Sequence, residues 1–218
     1  MQLLVIRSIL LPWPLKRRVL NSLAGWDLHE NARIGFALVN VGKLSMERGA
    51  RIHAMSVIKN LTEVSLATNA YIGPWNWISC SPPRSGQFRD IERRRELRLG
   101  DESAITMRHY IDCNDSVTIG SHSTLAGVRS QVLTHSIDLS RSEQRTRPVT
   151  IGDYCFIGSG SIITGGSNLA DYIVVGAGSV TIGTLPQSYA VYRGNPAVFE
   201  RELDKDIGYF VRGEGSVR

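Results

Sequence analysis

Aliphatic residues return every six positions along four stretches of the chain. The residues at that interval, with Asn40 as an interruption in the first stretch, are Ile34, Met46, Ile52, Ile58 and Val64; Leu66, Ile72 and Ile78; Leu99, Ile105, Ile111 and Val117; and Ile151, Ile157, Ile163, Leu169 and Val175. A helix would place apolar residues at i, i+3, i+4 and i+7, so an interval of six does not indicate one. The pattern predicts very short strands joined by tight turns, with one aliphatic side chain from each strand in a narrow core.

Small residues occupy two fixed places around these aliphatic positions. Glycine follows the aliphatic residue at Gly35, Gly73, Gly100, Gly120, Gly152, Gly158 and Gly176. Glycine adopts positive φ readily, and we expect a chain that turns every six residues to need this repeatedly. Four positions after an aliphatic residue, where an inward side chain has little room, stand Ala32, Ala50, Ser56, Ala70, Ser103, Ser123, Cys155, Ser161 and Ser179. A β-sandwich, with alternating strands of about 5–6 residues and no fixed six-residue return, fits poorly.

The repeats divide the chain into three parts. A lead segment covers 1–25, the repeats cover 26–197, and a tail covers 198–218. Two polar stretches, 79–98 and 136–148, carry no aliphatic return and are predicted to be loop insertions, which in repeat proteins leave one face that is often the binding face. The tail from Phe199 to Arg212 is predicted to form a short helix that caps or flanks the last coil.

Charge is concentrated in the first insertion. The 218-residue chain carries a net charge of +5, and 79–98 contains six arginines: Arg84, Arg89, Arg93, Arg94, Arg95 and Arg98. No helix-turn-helix, zinc-finger or RNA-binding signature accompanies them, so the sequence does not indicate a nucleic-acid-binding protein. The charge is compatible with an anionic ligand such as a nucleotide cofactor or an acidic glycan.

Cysteines and apolar runs indicate a compartment. Cys80, Cys113 and Cys155 form no paired spacing, which predicts free thiols and a reducing, cytoplasmic location. No run reaches the roughly 18 apolar residues of a membrane span. The apolar start is followed by Lys16, Arg17 and Arg18, which is the reverse of a signal peptide. It is interpreted as a short docking helix or as a weak membrane-surface contact.

Motifs in the second half resemble those of a known family. They are Val117-Thr118-Ile119-Gly120; Leu133-Thr134-His135; Pro148-Val149-Thr150-Ile151-Gly152 after the second insertion; Val175-Gly176-Ala177-Gly178-Ser179-Val180; and Gly194-Asn195-Pro196-Ala197. In this order they resemble the hexapeptide-repeat acyltransferases, most closely the sugar and polysaccharide O-acetyltransferases. The lead residues Leu11-Pro12 and Leu15-Lys16-Arg17 are similar to those of enzymes of capsule, exopolysaccharide and colanic acid biosynthesis.

The resemblance, which covers 26–197, implies a fold and an assembly. The fold is an all-β, left-handed parallel β-helix, a hexapeptide-repeat solenoid with three short strands per coil, loop insertions and a short C-terminal helix. The expected assembly is a homotrimer with active sites between subunits. The expected acyl donor is acetyl-CoA, and the expected acceptor is a hydroxyl of a sugar, sugar nucleotide or polysaccharide precursor.

His135 is the catalytic candidate that the resemblance implies. Acetyl transfer to a hydroxyl needs a base of near-neutral pKa to take the proton while oxygen attacks the thioester, and histidine suits that task. Direct transfer needs neither a covalent acyl-enzyme nor a metal. Asp112 and Asp138 are equal candidates to orient the imidazole through its other ring nitrogen.

Further residues are assigned by position in the same resemblance. His109, with Arg108 and Tyr110, falls near the place of an acceptor-binding asparagine, so acceptor contact is expected. A second catalytic histidine, or filler at a small-residue position, remains open for His109. The expected coenzyme A residues are Phe156 and Ser159 beside pantetheine, Ala177 through its backbone, and Asn195, Pro196 and Arg201 near the adenine and phosphate end. Gly183 stands where relatives often have a lysine, so Arg193 or Arg201 is expected to contact phosphate.

Other functions remain as alternatives. A γ-class carbonic anhydrase shares the expected fold but needs three zinc-binding histidines, two of them five residues apart. The histidines at 29, 53, 109, 122 and 135 contain no such pair. The remaining alternatives are an acetyltransferase for a small alcohol such as an antibiotic, and a non-catalytic β-helical scaffold.

Overall fold

The computed structural model describes residues 11–82, 86–88 and 91–215. Within these ranges, three sheets of short strands run along the faces of a solenoid, and strand order along the chain moves from the first sheet to the second and the third in each coil. Neighbouring strands of a sheet come from successive coils and are parallel, apart from one antiparallel pair at the end of the second sheet. This is a parallel β-helix.

The first sheet and the second sheet each continue to the last coils. The strands of the first sheet are β1 Asp27–Leu28, β4 Lys43–Met46, β7 Glu63–Leu66, β10 Glu96–Leu99, β13 Val117–Ile119, β18 Val149–Ile151, β21 Asn168–Leu169 and β24 Thr184–Leu185. Those of the second sheet are β2 Arg33–Ile34, β5 Arg51–Ile52, β8 Tyr71–Ile72, β11 Ala104–Met107, β14 Thr124–Val128, β19 Phe156–Ile157, β22 Ile173–Val175, β25 Ala190–Arg193 and β26 Val198–Glu202.

The third sheet carries the strands that lead to the second insertion. They are β3 Leu38–Asn40, β6 Val57–Lys59, β9 Trp77–Ser79, β12 Tyr110–Asp112, β15 Gln131–Leu133, β20 Ile162–Thr164 and β23 Val180–Thr181. A separate antiparallel hairpin consists of β16 His135–Asp138 and β17 Glu143–Thr146.

The six-residue period places the aliphatic side chains in stacked columns inside the solenoid. In the first sheet Leu66, Leu99, Ile119 and Ile151 are in register on successive coils, and each is at most 2% exposed. Because parallel strands in register align the same repeat position, one column continues through the molecule. The predicted core is therefore confirmed.

The predicted reason for the glycines after the aliphatic residues is wrong. None of the seven adopts positive φ. A Cβ on Gly100 would lie 2.6 Å from the backbone nitrogen of Ser121, and one on Gly158 would lie 2.6 Å from that of Ala177. These positions are small because the backbone of the next coil passes there. Positive φ occurs two residues later, for example at His122 and Tyr154.

Buried small residues line the inner side of the corners, as predicted. Ala50, Ser103, Ser123 and Ser161 are completely buried. The Ser123 hydroxyl donates to the carbonyl of Gly152 at 2.6 Å, so the polar group is satisfied by the backbone of the next coil. A larger residue at this position has to fit between the coils.

The two insertions differ from simple loops. Within the first, a 3₁₀ turn occupies Gly86–Phe88, and the chain returns to the first sheet at β10. The second, predicted to be a loop, is the β16–β17 hairpin, in which His135 pairs with Thr146 and Asp138 with Glu143. Cross-strand pairing satisfies the backbone of these polar residues away from the core.

Residues 1–10, which carry most of the apolar start predicted to be a docking helix or a membrane-surface contact, lie outside the described residues. The rest of the lead segment docks on the first coil. Helix α1, Trp13–Ala24, follows Pro12 and is capped at its C-terminus by Gly25, which has a positive φ of 65°. Leu20 is 1% exposed, and the Lys16 ammonium donates to the carbonyls of Ile34 and Gly35 at 3.1 and 3.3 Å. Burial lowers the pKa of Lys16. The helix therefore covers the open end of the core, and among the described residues no helix has the length and apolar character to span a membrane.

The tail begins with a strand and ends with a short helix, whereas the sequence predicted a helix over Phe199–Arg212. Strand β26 pairs antiparallel with β25, which otherwise would present the open edge of the second sheet. Only α2, Gly208–Val211, is helical. Pairing with the open edge of β25 therefore determines the conformation of the first residues of the tail, although their composition favours a helix.

A ladder of four stacked aromatic rings, His122, Tyr154, Tyr172 and Tyr189, runs along the corner between the first and second sheets. Successive ring centroids lie 4.5, 5.2 and 4.4 Å apart, with planes within 11° of parallel. All four residues have positive φ. The repeated corner conformation stacks the rings, since the same repeat position recurs on each coil.

The tail docks on this ladder. The Phe210 ring packs edge-on against Tyr172 and Tyr189, each at 5.6 Å. The Tyr209 hydroxyl donates to the Cys155 carbonyl at 3.0 Å, and the Arg212 guanidinium donates to the His122 carbonyl. The Gly215 amide donates to Glu102 at 2.9 Å. The tail therefore runs back over several coils instead of lying on the last one.

Candidate active site

Parallel pairing in the third sheet brings His135 against Asp112. In this sheet Asp112 at the end of β12 is in register with Leu133 at the end of β15. The chain continues from Leu133 through Thr134 to His135, where the hairpin begins. Nδ1 of His135 lies 2.7 Å from Oδ2 of Asp112. A separation of 23 residues in sequence becomes a direct contact because the two residues lie on adjacent coils.

Asp112 is a buried carboxylate surrounded by donors. Its side chain is 2% exposed. Oδ2 accepts from the backbone N–H groups of Thr134 and His135 at 2.9 and 3.1 Å, and Oδ1 accepts from the backbone and side-chain nitrogens of Asn114 at 3.1 and 2.6 Å. Burial opposes ionisation, but hydrogen bonds from His135, Thr134 and Asn114 and the charge of the imidazolium outweigh it and lower the pKa of Asp112.

The contact with Asp112 defines the state of the imidazole. An ionised carboxylate only accepts hydrogen bonds, so Nδ1 of His135 carries a proton and Nε2 of the neutral ring is the acceptor. The hydrogen bond to Asp112 raises the pKa of His135, opposed by partial burial and by the positive charge of Arg93. The His135 side chain is 37% exposed. This arrangement supplies a basic nitrogen that is held in place and open to a substrate.

The His135–Asp112 pair is also contacted by residues for which the sequence predicted no role at the site. Thr134 and Asn114 donate to Asp112, as described above. The Phe88 ring packs edge-on against His135 with centroids 6.0 Å apart, and the Arg93 guanidinium lies 4.2 Å from the Phe88 ring centroid. Proximity to Asp112 and His135 in the sequence is a usable signal for Asn114 and Thr134. Nothing local in the sequence links Arg93 or Phe88 to the site.

Asp138 does not orient His135. It lies at the far end of β16, and its carboxylate accepts from the Ser140 hydroxyl at 2.6 Å and from Arg145 at 3.1 Å. These bonds hold the turn of the hairpin. The sequence ranked Asp112 and Asp138 equally, and the structure brings only Asp112 to the imidazole.

His109 is an interior residue, contrary to the expected acceptor contact. It is 2% exposed. Nδ1 accepts from the backbone N–H of Ser130 at 3.1 Å, and Nε2 lies 2.9 Å from the Thr106 hydroxyl. Burial lowers the pKa of His109 to about 4, so the ring is neutral near pH 7. His109 stands four residues after Ile105, in the small-residue position of the repeat, and fills it. The second-base alternative fails for the same reason.

Arg108 and Tyr110, the neighbours of His109, are exposed. Tyr110 lies on the outer face of the third sheet, in register with Trp77 on the preceding coil. Asp112 follows two residues later on the same strand, so Tyr110 projects from the same face as the carboxylate. The structure therefore leaves Tyr110 accessible on the face of the site, whereas Arg108 lies before β12, at the corner between the second and third sheets.

The expected coenzyme A residues fall into two groups. Ser159 and Ala177 are exposed at the corner between the second and third sheets, where the Gly178 amide donates to the Ser159 carbonyl at 2.9 Å. Asn195 and Pro196 are exposed next to the same corner, beside Val180, whose amide donates to the Gly194 carbonyl. These residues therefore form a continuous line over successive coils.

Phe156 and Arg201 lie elsewhere, on the outer face of the second sheet. Phe156 is covered by the Tyr209 ring of the tail, with centroids 5.7 Å apart, which disagrees with an open pantetheine contact. Arg201 is exposed on β26, opposite Val191. Of the two arginines expected at the phosphate, Arg193 forms an ion pair with Glu200 at 2.9 Å.

No group of three or more His, Cys, Asp or Glu side chains suited to a metal ion occurs among residues 11–82, 86–88 and 91–215. Cys80, Cys113 and Cys155 are buried free thiols.

Comparisons with known proteins establish the fold. No protein-family description matches the chain, and no curated protein matches it. The hexapeptide-repeat-containing acetyltransferase of Vibrio cholerae shares 26% identity over 64% of this chain and 73% of that chain, with a TM-score of 0.52. Its complex with acetyl coenzyme A, from Vibrio cholerae O1 biovar eltor, matches 92% of this chain and 84% of that chain at 20% identity and a TM-score of 0.51.

A polysialic acid enzyme shows the same architecture. The polysialic acid O-acetyltransferase OatWY matches 81% of this chain and 84% of that chain at 16% identity, with a TM-score of 0.64. The chain therefore has the left-handed parallel β-helix fold of hexapeptide-repeat acetyltransferases, which confirms the fold predicted from the repeats.

Proposed function

We propose that this chain is an acetyl-CoA-dependent O-acetyltransferase in which His135 is the general base. The observation that carries the proposal is the pair formed by His135 and the buried carboxylate of Asp112, at 2.7 Å. A base held in one tautomer by a carboxylate, with its second nitrogen accessible, is the arrangement that proton removal from an attacking group requires. The similarity to the Vibrio cholerae acetyltransferase and its acetyl coenzyme A complex supports the acyl donor.

The reaction follows from the geometry of the pair. Nε2 of His135 takes the proton of the acceptor hydroxyl as its oxygen attacks the thioester carbonyl carbon. Asp112 stabilises the imidazolium that forms. When the tetrahedral intermediate collapses, the C–S bond breaks and the proton passes from Nε2 to the departing thiolate. The products are the acetyl ester and coenzyme A, and His135 returns to its starting state.

The acceptor is proposed to be a hydroxyl of a sugar, sugar nucleotide or polysaccharide precursor. The likeness in fold to OatWY and the motifs of the second half support a glycan acceptor. The buried free thiols of Cys80, Cys113 and Cys155 fit a reducing compartment, which supports the proposed cytoplasmic location. Transfer assays across sugar acceptors, with products identified by mass spectrometry, test this choice.

The active assembly is proposed to be a homotrimer. His135 follows the end of the third sheet, whereas Ser159 and Ala177 lie at the opposite edge of that sheet. About six residues at about 3.3 Å each, or about 20 Å, separate the two edges. A second copy can place its own coenzyme A corner beside His135, which makes a compact site from two subunits.

An apolar patch supports this assembly. Exposed large apolar side chains cluster on the third sheet and its corner with the second sheet, over the N-terminal coils: Phe36, Leu38, Met55, Trp75, Trp77, Met107 and Tyr110. By contrast, Ser65, Arg98, Thr118 and Thr150 occupy the outer row of the first sheet. Contiguous exposed apolar surface of this kind is typical of protein interfaces.

The test of the function is His135→Ala beside His53→Ala. His53 is exposed on the N-terminal coils and packs against Tyr71, remote from the pair. Loss of a positioned general base lowers turnover by about 10²–10⁴-fold, so His135→Ala should lose that much kcat while coenzyme A affinity and folding are retained. His53→Ala should turn over like the unmodified enzyme. Near-normal turnover in His135→Ala would rule out this mechanism.

A further inference from the structure

The arginine-rich insertion folds back onto the side chain of Asn114. Two groups of the insertion, one near its entry and one near its exit, meet on one oxygen. The Ser81 amide donates to Oδ1 of Asn114 at 3.0 Å, and the Arg93 guanidinium donates to the same oxygen at 2.5 Å. Asn114 is 3% exposed. Of the insertion residues that the structure describes, Arg93 is the one that brings a cation to this buried amide.

The orientation of the Asn114 amide determines what Asp112 contacts. With Oδ1 held by Arg93 and Ser81, Nδ2 points to Oδ1 of Asp112 at 2.6 Å. A flipped amide would place its oxygen against the carboxylate and its NH₂ group against the guanidinium, and both contacts are repulsive. Arg93 therefore fixes the amide in the one orientation that binds Asp112.

A second connection, through an aromatic ring, leads from the same guanidinium to His135. Arg93 lies over the Phe88 ring at 4.2 Å, and Phe88 packs edge-on against the His135 ring. Phe88 is 5% exposed, so the ring is held on several sides. Its contact limits rotation of the imidazole about the bond that would swing Nδ1 away from Asp112.

We infer that Arg93 is a positioning residue for the His135–Asp112 pair, holding Asp112 through the Asn114 amide and the His135 ring through Phe88. The inference rests on the proposed general-base function of His135. It assigns a role to the insertion that the repeat pattern leaves unexplained.

The charged groups around the pair predict how Arg93 affects protonation. Asp112 faces His135 and raises the pKa of the imidazole, while the Arg93 cation lowers it. Arg95 and Asp115 interact electrostatically with Arg93: the Arg95 charge lowers the pKa of Arg93 and the Asp115 charge raises it. Three further titratable groups interact electrostatically with Asp112 or Arg93: Cys80, Cys113 and Tyr110. Burial raises the pKa of both thiols and of the phenol, so all three are neutral near pH 7.

The experiment compares Arg93→Gln, Arg93→Lys and Arg94→Gln in the full chain. Arg94 is an exposed neighbour of the same type and serves as the matched control. His135 is titrated by NMR of its imidazole, with the resonance assigned by its absence in His135→Gln. The kcat and the pH dependence of kcat/KM are measured alongside.

Arg93→Gln removes the cation, so the His135 titration and the acid limb of kcat/KM should both move to higher pH. The kcat should fall by up to about 10²-fold, the effect of a displacement of about 1 Å at a catalytic group. Arg93→Lys keeps the charge but loses the planar guanidinium that lies over Phe88, so the limb should stay near its original pH while kcat falls. Arg94→Gln should change neither quantity.

Two outcomes would overturn the inference: a His135 titration in Arg93→Gln that superimposes on that of the unmodified protein, or equal shifts in Arg93→Gln and Arg94→Gln. If Arg93→Gln does not fold, Arg93→Lys decides, since an unchanged kcat there would contradict the need for the guanidinium. The NMR titration needs no acetyl transfer. A protein without transferase activity but with the expected shift would therefore contradict only the proposed function.

Discussion

At the scale of single residues, the candidate chemistry depends on a carboxylate that solvent hardly reaches. Oδ1 of Asp112 accepts a hydrogen bond from Asn114, and Oδ2 accepts from the backbone N–H groups of Thr134 and His135. These donors keep the group ionised in spite of its burial. The charge in turn selects the tautomer of His135 that has Nε2 free to accept a proton.

Asp112→Asn tests the importance of that charge. An amide can donate to Nδ1 and leave the proton on Nε2, which removes the basic nitrogen from the position of the substrate. In serine proteases the corresponding change lowers kcat by about 10⁴-fold, and we expect a loss of about 10³–10⁴-fold here. Single-turnover kinetics with saturating acetyl-CoA measures it. Asp138→Asn, in the hairpin, is the control and should retain full turnover; an equal loss in both variants would contradict the assignment.

The pH dependence of kcat/KM follows from the direction of the His135 shift. The base must be neutral, and the hydrogen bond to Asp112 raises the pKa of His135. The rate should therefore increase with pH through a limb above the ordinary histidine value of about 6.5. A profile from pH 5 to 9 locates the limb. A limb below the ordinary value would mean that burial and Arg93 outweigh Asp112.

At the scale of the structural element, the coil corner determines which side chains are allowed. Glycine after the aliphatic residue avoids the next coil, the third position takes positive φ, and the fourth is buried and small. His109 occupies that fourth position, which explains why a histidine close to the candidate site in sequence is not part of it. A motif comparison without the corner geometry could not separate His109 from a binding residue.

Gly152→Ala tests the crowding at the corner. A Cβ there would lie 2.7 Å from the backbone nitrogen of Asp171 on the next coil. Overpacking of this kind costs about 1–3 kcal/mol, so the free energy of unfolding should fall by that amount. Urea denaturation measures it. Gly208→Ala is the matched control, because no atom lies within 4 Å of its Cβ position. Equal free energies of unfolding in the two variants would show that the coils can move apart to admit the methyl group without loss of stability.

At the scale of the whole molecule, the sequence predicted the features that repeat and missed those that join distant segments. The six-residue period predicts the strands and the core because it is a local pattern that recurs on every coil. The sequence ranked Asp112 and Asp138 equally, and only the stacking of the coils brings Asp112 into contact with His135 across 23 residues. The tail strand β26, the contact of Arg93 with Asn114 and the cover of Phe156 by Tyr209 likewise depend on packing that no single segment encodes.

The distribution of apolar and polar faces predicts the assembly. Trp77→Glu places a charge in the centre of the apolar patch, where burial against another copy would be costly. Light scattering at micromolar concentration should show a trimer for the unmodified chain and smaller species for Trp77→Glu. Ser65→Glu, on the polar first sheet, should remain trimeric. A monomer of the unmodified chain would contradict the shared site.

The docked tail has a mechanical consequence. A stack of coils joined only to their neighbours comes apart from its ends, because the outermost coil has one partner instead of two. Here the chain leaves the last coil and is fastened at Tyr189, Tyr172, Cys155 and His122 before reaching Glu102. A pull on the C-terminus therefore acts first on these lateral attachments. We expect the tail to detach from the ladder before the terminal coil unwinds, so that the end nearest the coenzyme A corner is protected from fraying.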